Sequence, residues 1–163
     1  MSYHPAIVAN ALLQRGRERG VFIDHMKLQK LVFLVHAWSL ASQGVPAVNR
    51  EPEAWDYGPV FTELYSKLRD QGRAPVTQLI SSYNPASGLQ EVMVPNPGDQ
   101  ATWSMVDYVL NRYGNLSAIQ LSALSHEAGG PWEITRRENR SFIPDETIQR
   151  YYREQSKLGN PRI

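Results

Sequence analysis

The stretch MKLQKLVFLVHAWSLA, residues 26–41, is the most apolar run in the chain, and its reading decides the fold. Leu28, Leu31, Val32 and Val35 recur at the i, i+3, i+4, i+7 spacing of one helical face. Met26, Phe33, Leu34, Ala37, Trp38, Leu40 and Ala41 place apolar groups on the other faces as well. A helix that is apolar nearly all round belongs in an interior. This one is too short and too interrupted to span a bilayer, which takes about 20 predominantly apolar residues. Asp24 is placed to cap its first turn, and Gly44 followed by Pro46 ends it. Two polar strips break the apolar surface: Lys27 with Lys30, and Gln29, His36 and Gln43 with Ser39 close by. The second strip either hydrogen-bonds to a neighbouring loop or faces a partner or ligand, and both readings fit the sequence.

Working outward, residues 5–17 form a first helix opened by Pro5, with Ile7, Val8, Ala11 and Leu12 as its stripe. Val21-Phe22-Ile23 leads into the central helix as a brief strand or a packing lid. On the other side, Glu53, Trp55 and Tyr57 alternate with Ala54 and Asp56, the pattern of a short extended segment. Gly58-Pro59 is expected to start a helix carrying Val60, Phe61, Leu64, Tyr65 and Leu68, with Glu63 and Lys67 as an i, i+4 pair. Residues 73–99 are irregular, with a hairpin expected around Leu79-Ile80 and Val92-Met93-Val94 and a turn at Asn84 to Gly88. Helices return from residue 100: one bears Trp103, Val106, Tyr108, Val109 and Leu110, and the next bears Ile119, Leu121, Leu124 and Ala128. Ser117 and Gln120 have the spacing of a capping box at the start of the latter. Pro131-Trp132 opens a further turn or short helix, and Pro144 with Asp145 and Glu146 opens the last helix, with a loose tail after Gly159. The fold expected is mainly α: a single compact helical domain around a buried central helix, with a small β element. Residues 1–140 make up that domain, and residues 141–163 a helix and tail packed on it.

At 163 residues the chain has the length of one domain with a core of its own. It contains no cysteine, so disulfides, thiolate metal sites and cysteine nucleophiles are excluded together. A net charge of +1 supplies no global field for nucleic acid or anionic membrane. The opening residues lack a basic start followed by an apolar core, so a soluble cytoplasmic protein is expected.

Signatures of phosphate loops, dinucleotide folds and serine elbows are missing. His126-Glu127 lacks the second histidine one turn on that a zinc helix needs, so no metal and no cofactor are expected. His126 fits a general base oriented by Glu127 or Asp107, or else an imidazole donating to the last carbonyls of its helix. Asp56 reads as a buried acid or as a helix cap. Trp38, Trp55, Tyr57, Trp103 and Trp132 are core anchors, or binding anchors where they reach the surface. Arg136, Arg137, Arg140, Arg150, Arg153 and Lys157 are interleaved with acids, which argues for a solvated helical surface over a phosphate track.

Three blocks in order resemble the Panacea antitoxin domain, also described as SocA-like or phage-associated GepA-like: MKLQKLVFLVHAWSLASQGVP at 26–46, EPEAWDYGPVFTELYSKLR at 51–69 and LSALSHEAGGPWEITR at 121–136. Members of that family are similar in acting as non-enzymatic antitoxins that bind and neutralise a toxin encoded beside them. One relative is described as an adaptor that delivers its toxin to a protease, and some sit in prophages. The resemblance therefore implies a cognate protein toxin as partner, with a protease as a second one. The motif residues are either scaffold, with surface elsewhere gripping the toxin, or contacts themselves. On the second reading the partner-binding residues are Gln29, His36, Trp55, Tyr57, His126 and Trp132. The rival functions are a small hydrolase or nucleotide-processing enzyme using His126 with His36 or Asp56, and a prophage regulator binding DNA through the 136–157 surface.

Overall fold

A computed structural model describes residues 1–158. Helix α1 (Pro5–Glu18) leads into α2 (His25–Gln43), which is followed by a hairpin of β1 (Glu53–Trp55) and β2 (Gly58–Val60). Helix α3 (Thr62–Leu68) continues into one 3-10 turn, Arg69–Gln71. A second hairpin, β3 (Ser81–Asn84) with β4 (Leu89–Val92), precedes α4 (Gln100–Tyr113), α5 (Ala118–Ser125), α6 (Pro131–Arg137) and α7 (Asp145–Lys157). The protein is mainly α with two small antiparallel hairpins, as its sequence pattern implies.

Helix α2 is the axis: 15 of its 19 residues are buried, and α1, α4, α5, α7 and β2 all pack on it. Its ends are set by local chemistry. The Asp24 carboxylate accepts from the Lys27 amide, and Gly44 takes the left-handed conformation with φ 70° and returns its amide to the Leu40 carbonyl. The capping box of α5 is also formed, with Ser117 and Gln120 each receiving the other's backbone amide.

The polar strip of α2 is spent inside the fold. Gln29 bonds both backbone groups of Phe61. The His36 Nδ1 accepts from the Val48 amide, which leaves the Nε2 proton for the Asp145 carboxylate at 2.8 Å. Ser39 donates to the Val45 carbonyl. Helix α7 closes over α2 with Phe33 and Tyr152 in edge contact and Gln149 donating to the Leu40 carbonyl.

Several local expectations are corrected. Gly58-Pro59 does not start a helix: both residues lie in β2, Pro59 opposite Ala54, and the helix begins at Thr62. Asp56 neither caps a helix nor is buried, because hairpin pairing puts it in the tight turn with its side chain 81% exposed. Glu63 pairs with Arg50 at 2.7 Å, while Lys67 reaches Gln90. Ile119 stands 83% exposed, since α5 turns Leu121 to the core instead. Val21-Phe22-Ile23 forms no strand: Ile23 packs inward, accepting the Val76 amide, and Phe22 points out. The second hairpin pairs Ser81–Asn84 with Leu89–Val92, two residues inside the expected limits of Leu79 and Val94, around the predicted turn. Buried Asn10 of α1 fixes its base, accepting the Ile80 amide and donating to the carbonyls of Ile80 and Met93. The tail after Gly159 lies outside the described residues.

Candidate functional site

The β1–β2 hairpin needs a two-residue turn at Asp56-Tyr57. Such a turn leaves carbonyls without strand partners, and buried carbonyls need donors from elsewhere. Here four consecutive carbonyls each take one side chain. Arg136 Nη1 donates to Ala54 at 3.0 Å, and Trp132 Nε1 to Trp55 at 2.7 Å. His126 Nε2 contacts the Asp56 carbonyl at 2.9 Å, and Ser122 Oγ donates to Tyr57 at 2.8 Å. Lys30 Nζ of α2 adds a contact to the Pro59 carbonyl at 3.2 Å. The donors come from α2, α5, α6 and the cap between them, so the turn is tied to three helices.

The clamp is itself stacked. The His126 ring lies 3.8 Å, centre to centre, from the Trp132 ring, and the Arg136 guanidinium covers the same indole. Arg136 also pairs with the Asp56 carboxylate at 2.8 Å. His126 Nδ1 lies against the Ser122 carbonyl, and the tautomer decides which of the two ring nitrogens carries the donated proton. Both ring nitrogens are thus turned onto backbone oxygens, and neither points at open space.

Gly58 makes the approach possible. Its φ of 111° is closed to other residues, and a side chain there would meet Ser125 Oγ at 2.5 Å and Lys30 Cε at 3.0 Å. Lys30 is only 2% exposed, and burial without a carboxylate partner pulls its amine down to about 8. The cavity beside it measures about 10 Å³, room for roughly one water. A substrate does not fit there.

What the clamp presents is Tyr57, 70% exposed at the tip, with Asp56 beside it. Of the six residues that sequence reading offered as contacts, the turn brings together Trp55, Tyr57, His126 and Trp132. Trp55 packs against Tyr65 and lies half-buried, as do His126 and Trp132. Gln29 and His36 are fully buried and hold loops from within. Sequence reading missed Ser122, Arg136 and Lys30 as members of this arrangement. The only signal for them was their place inside the three blocks that resemble the family, since a backbone carbonyl carries no residue-type mark. Arg137 and Lys157 of the basic segment pair with Glu133 and Glu154. Among the described residues no group of three or more His, Asp and Glu is arranged to hold a metal, and no helix is long and apolar enough to cross a membrane.

Residues 28–133 match the family model for the antitoxin SocA-like, Panacea domain. The chain is 35% identical over 127 residues to Antitoxin SocA of Caulobacter vibrioides, covering 78% of this chain and 67% of that protein. No solved structure matches it. The matched segment begins within α2 and ends just past Trp132, so it takes in the clamped turn and most of its donors, and the chain belongs to the SocA-like antitoxin family with a Panacea domain.

Proposed function

We propose that this protein is an antitoxin that neutralises a cognate protein toxin by direct binding, without chemistry of its own. The observation that carries this reading is the clamped turn: an exposed aromatic tip whose backbone is held by three side-chain donors and the His126 ring. Holding a contact residue rigid before binding lowers the ordering cost of association. Tyrosine is among the residues that dominate interface energetics. Family membership supplies the class of partner. The engagement of both His126 nitrogens and the size of the Lys30 cavity speak against a hydrolytic role for these groups.

The test is co-expression with the neighbouring gene. Growth should be rescued, and the two proteins should co-purify. Unrelieved toxicity with no complex rejects the proposal. Handing the toxin to a protease is a further step: it predicts that the toxin's half-life shortens when this protein is present. A stable toxin in a stable complex leaves occlusion as the mode of action.

A further inference from the structure

Arg136, Trp132 and Ser122 donate to the clamped turn at any physiological pH, whereas the His126 ring gains its second donor only on taking up a proton. Its Nε2 lies 2.9 Å from the Asp56 carbonyl, and its Nδ1 lies within hydrogen-bond distance of the Ser122 carbonyl. A carbonyl oxygen accepts and never donates. A neutral imidazole carries one N–H, so either tautomer satisfies one of these carbonyls and sets a nitrogen lone pair against the other. The imidazolium carries two N–H groups and satisfies both. The Ser125 hydroxyl does not rescue the neutral ring: it stands 3.4 Å from Nδ1, but it donates to the Ser122 carbonyl at 2.7 Å. Stacking on Trp132, 3.8 Å centre to centre, holds the ring in this place.

We infer that the clamp closes on the doubly protonated form of His126, so that the Asp56-Tyr57 turn is held tight when the ring carries the extra proton and loosens when the ring gives it up. The charged groups about the ring come in both signs. On the turn is the Asp56 carboxylate, paired at 2.8 Å with Arg136 of α6, whose guanidinium covers the same indole as the ring. Next in the chain is Glu127, its carboxylate turned to the Tyr151 hydroxyl at 3.4 Å, and at the far end of the turn is Lys30 of α2 on the Pro59 carbonyl. The two carbonyls are what tell the two ring forms apart, because a charged donor makes the stronger hydrogen bond and a lone pair makes none. Ser122 keeps the coupling local: its carbonyl meets Nδ1 while its hydroxyl holds the Tyr57 carbonyl. The consequence for binding rests on the antitoxin reading. A tip that is rigid with the ring charged and looser with it neutral should meet the toxin more tightly at the acid end of the range.

The experiment is an NMR titration of the full chain between about pH 8 and about pH 5.5, the range in which histidine changes charge. Ring nitrogen shifts count the protons on His126, and amide exchange over residues 53–60 reports how tightly the turn is closed. Protection of these amides, corrected for the intrinsic rise of exchange with pH, should increase at least about tenfold as the second ring proton is taken up, while amides of α1 stay level. His126→Gln, which does not titrate, should flatten the profile, with a thermal melt to check that it is folded. A ring whose proton count stays the same across the range overturns the inference, as does a hairpin equally protected in both ring states. Calorimetry with the toxin encoded beside this gene separates the two readings. Affinity should tighten towards acid in wild type and not in His126→Gln. If hairpin protection follows the ring and affinity does not, the proton latch stands and the turn is not the toxin contact. If the toxin is neither bound nor neutralised, the antitoxin reading falls, and the latch stands or falls on the ring and the amides.

Discussion

Gln29 grips Phe61 by both backbone groups: its Oε1 accepts the Phe61 amide at 2.9 Å, and its Nε2 donates to the Phe61 carbonyl at 3.2 Å. A side-chain amide in α2 thereby does what a neighbouring strand would do for the residue that follows β2. It fixes the angle at which the hairpin leaves for α3. Gln29→Leu should leave two buried backbone groups unpaired, at about 1–3 kcal/mol each. Urea unfolding should show a loss of about 2–6 kcal/mol for the two together. A loss below about 0.5 kcal/mol would mean that water replaces the amide.

Lys30 predicts an alkaline rise in stability. Its amine is lowered from 10.5 to about 8 by burial, so the unfolded chain binds the proton more tightly than the folded one between those values. Stability therefore increases with pH from about 8 towards 10.5, and this contribution is lost as pH falls through 8. Burial raises Tyr113 and Tyr151 to about 12, which acts in the opposite sense above pH 10. The expected profile climbs from pH 8 to a crest near pH 10 and then falls. Lys30→Met should gain ~1–3 kcal/mol at pH 7 and flatten the climb, leaving the smaller slope of Lys27, which burial shifts the same way. An unchanged climb in Lys30→Met would assign it elsewhere.

Trp132→Phe keeps the ring that stacks on His126 and removes the indole donor to Trp55. The loss should be about 1 kcal/mol, or a fall of roughly 2–4 °C in melting temperature for a chain of this size. If the fixed turn is what the toxin meets, affinity for the toxin should fall by more than stability does. Equal affinity with a lower melting temperature would make the clamp purely architectural.

Asn10 predicts a charge-sensitive hinge for the second hairpin. Asn10→Ala should free the base of β3 and β4 and speed amide exchange across residues 81–92. Asn10→Asp should be worse than Asn10→Ala, because a buried carboxylate would face the Ile80 and Met93 carbonyls that now receive two N–H groups. Exchange rates in the order wild type, alanine, aspartate test this directly. Indifference in the hairpin with global loss elsewhere would refute it.

What could be read from sequence was what local chemistry decides. The limits of α2 follow from Asp24 and Gly44, and the start of α5 from Ser117 and Gln120, because each cap closes within four residues. Pro59 was misread for the complementary reason. A proline after glycine suits a helix start as well as an edge strand, and only pairing with Ala54 across the turn selects the strand. Ile119 was misread because the apolar residues of α5 are scattered around the helix between Gln120, Ser122 and Ser125, which leaves no clear periodicity to say which side faces in. The clamp was legible only as three blocks of motif. Its donors lie 65 to 82 residues from the carbonyls they hold in the cases of Ser122, His126, Trp132 and Arg136, and no spacing rule connects them.

Residues 141–143 run beside β1, where the Ala54 amide donates to the Ser141 carbonyl and the Ile143 amide to the Pro52 carbonyl. Ile143, Ile148 and Tyr152 then sink into the same core as α2. A polypeptide trimmed to the borders of the family match would lose this strap. It would bare an open strand edge and an apolar flank of the axial helix together, a combination that invites aggregation. Borders drawn by shared sequence and borders drawn by self-sufficient folding therefore differ in this protein, and any minimal antitoxin cut from it has to reach through α7.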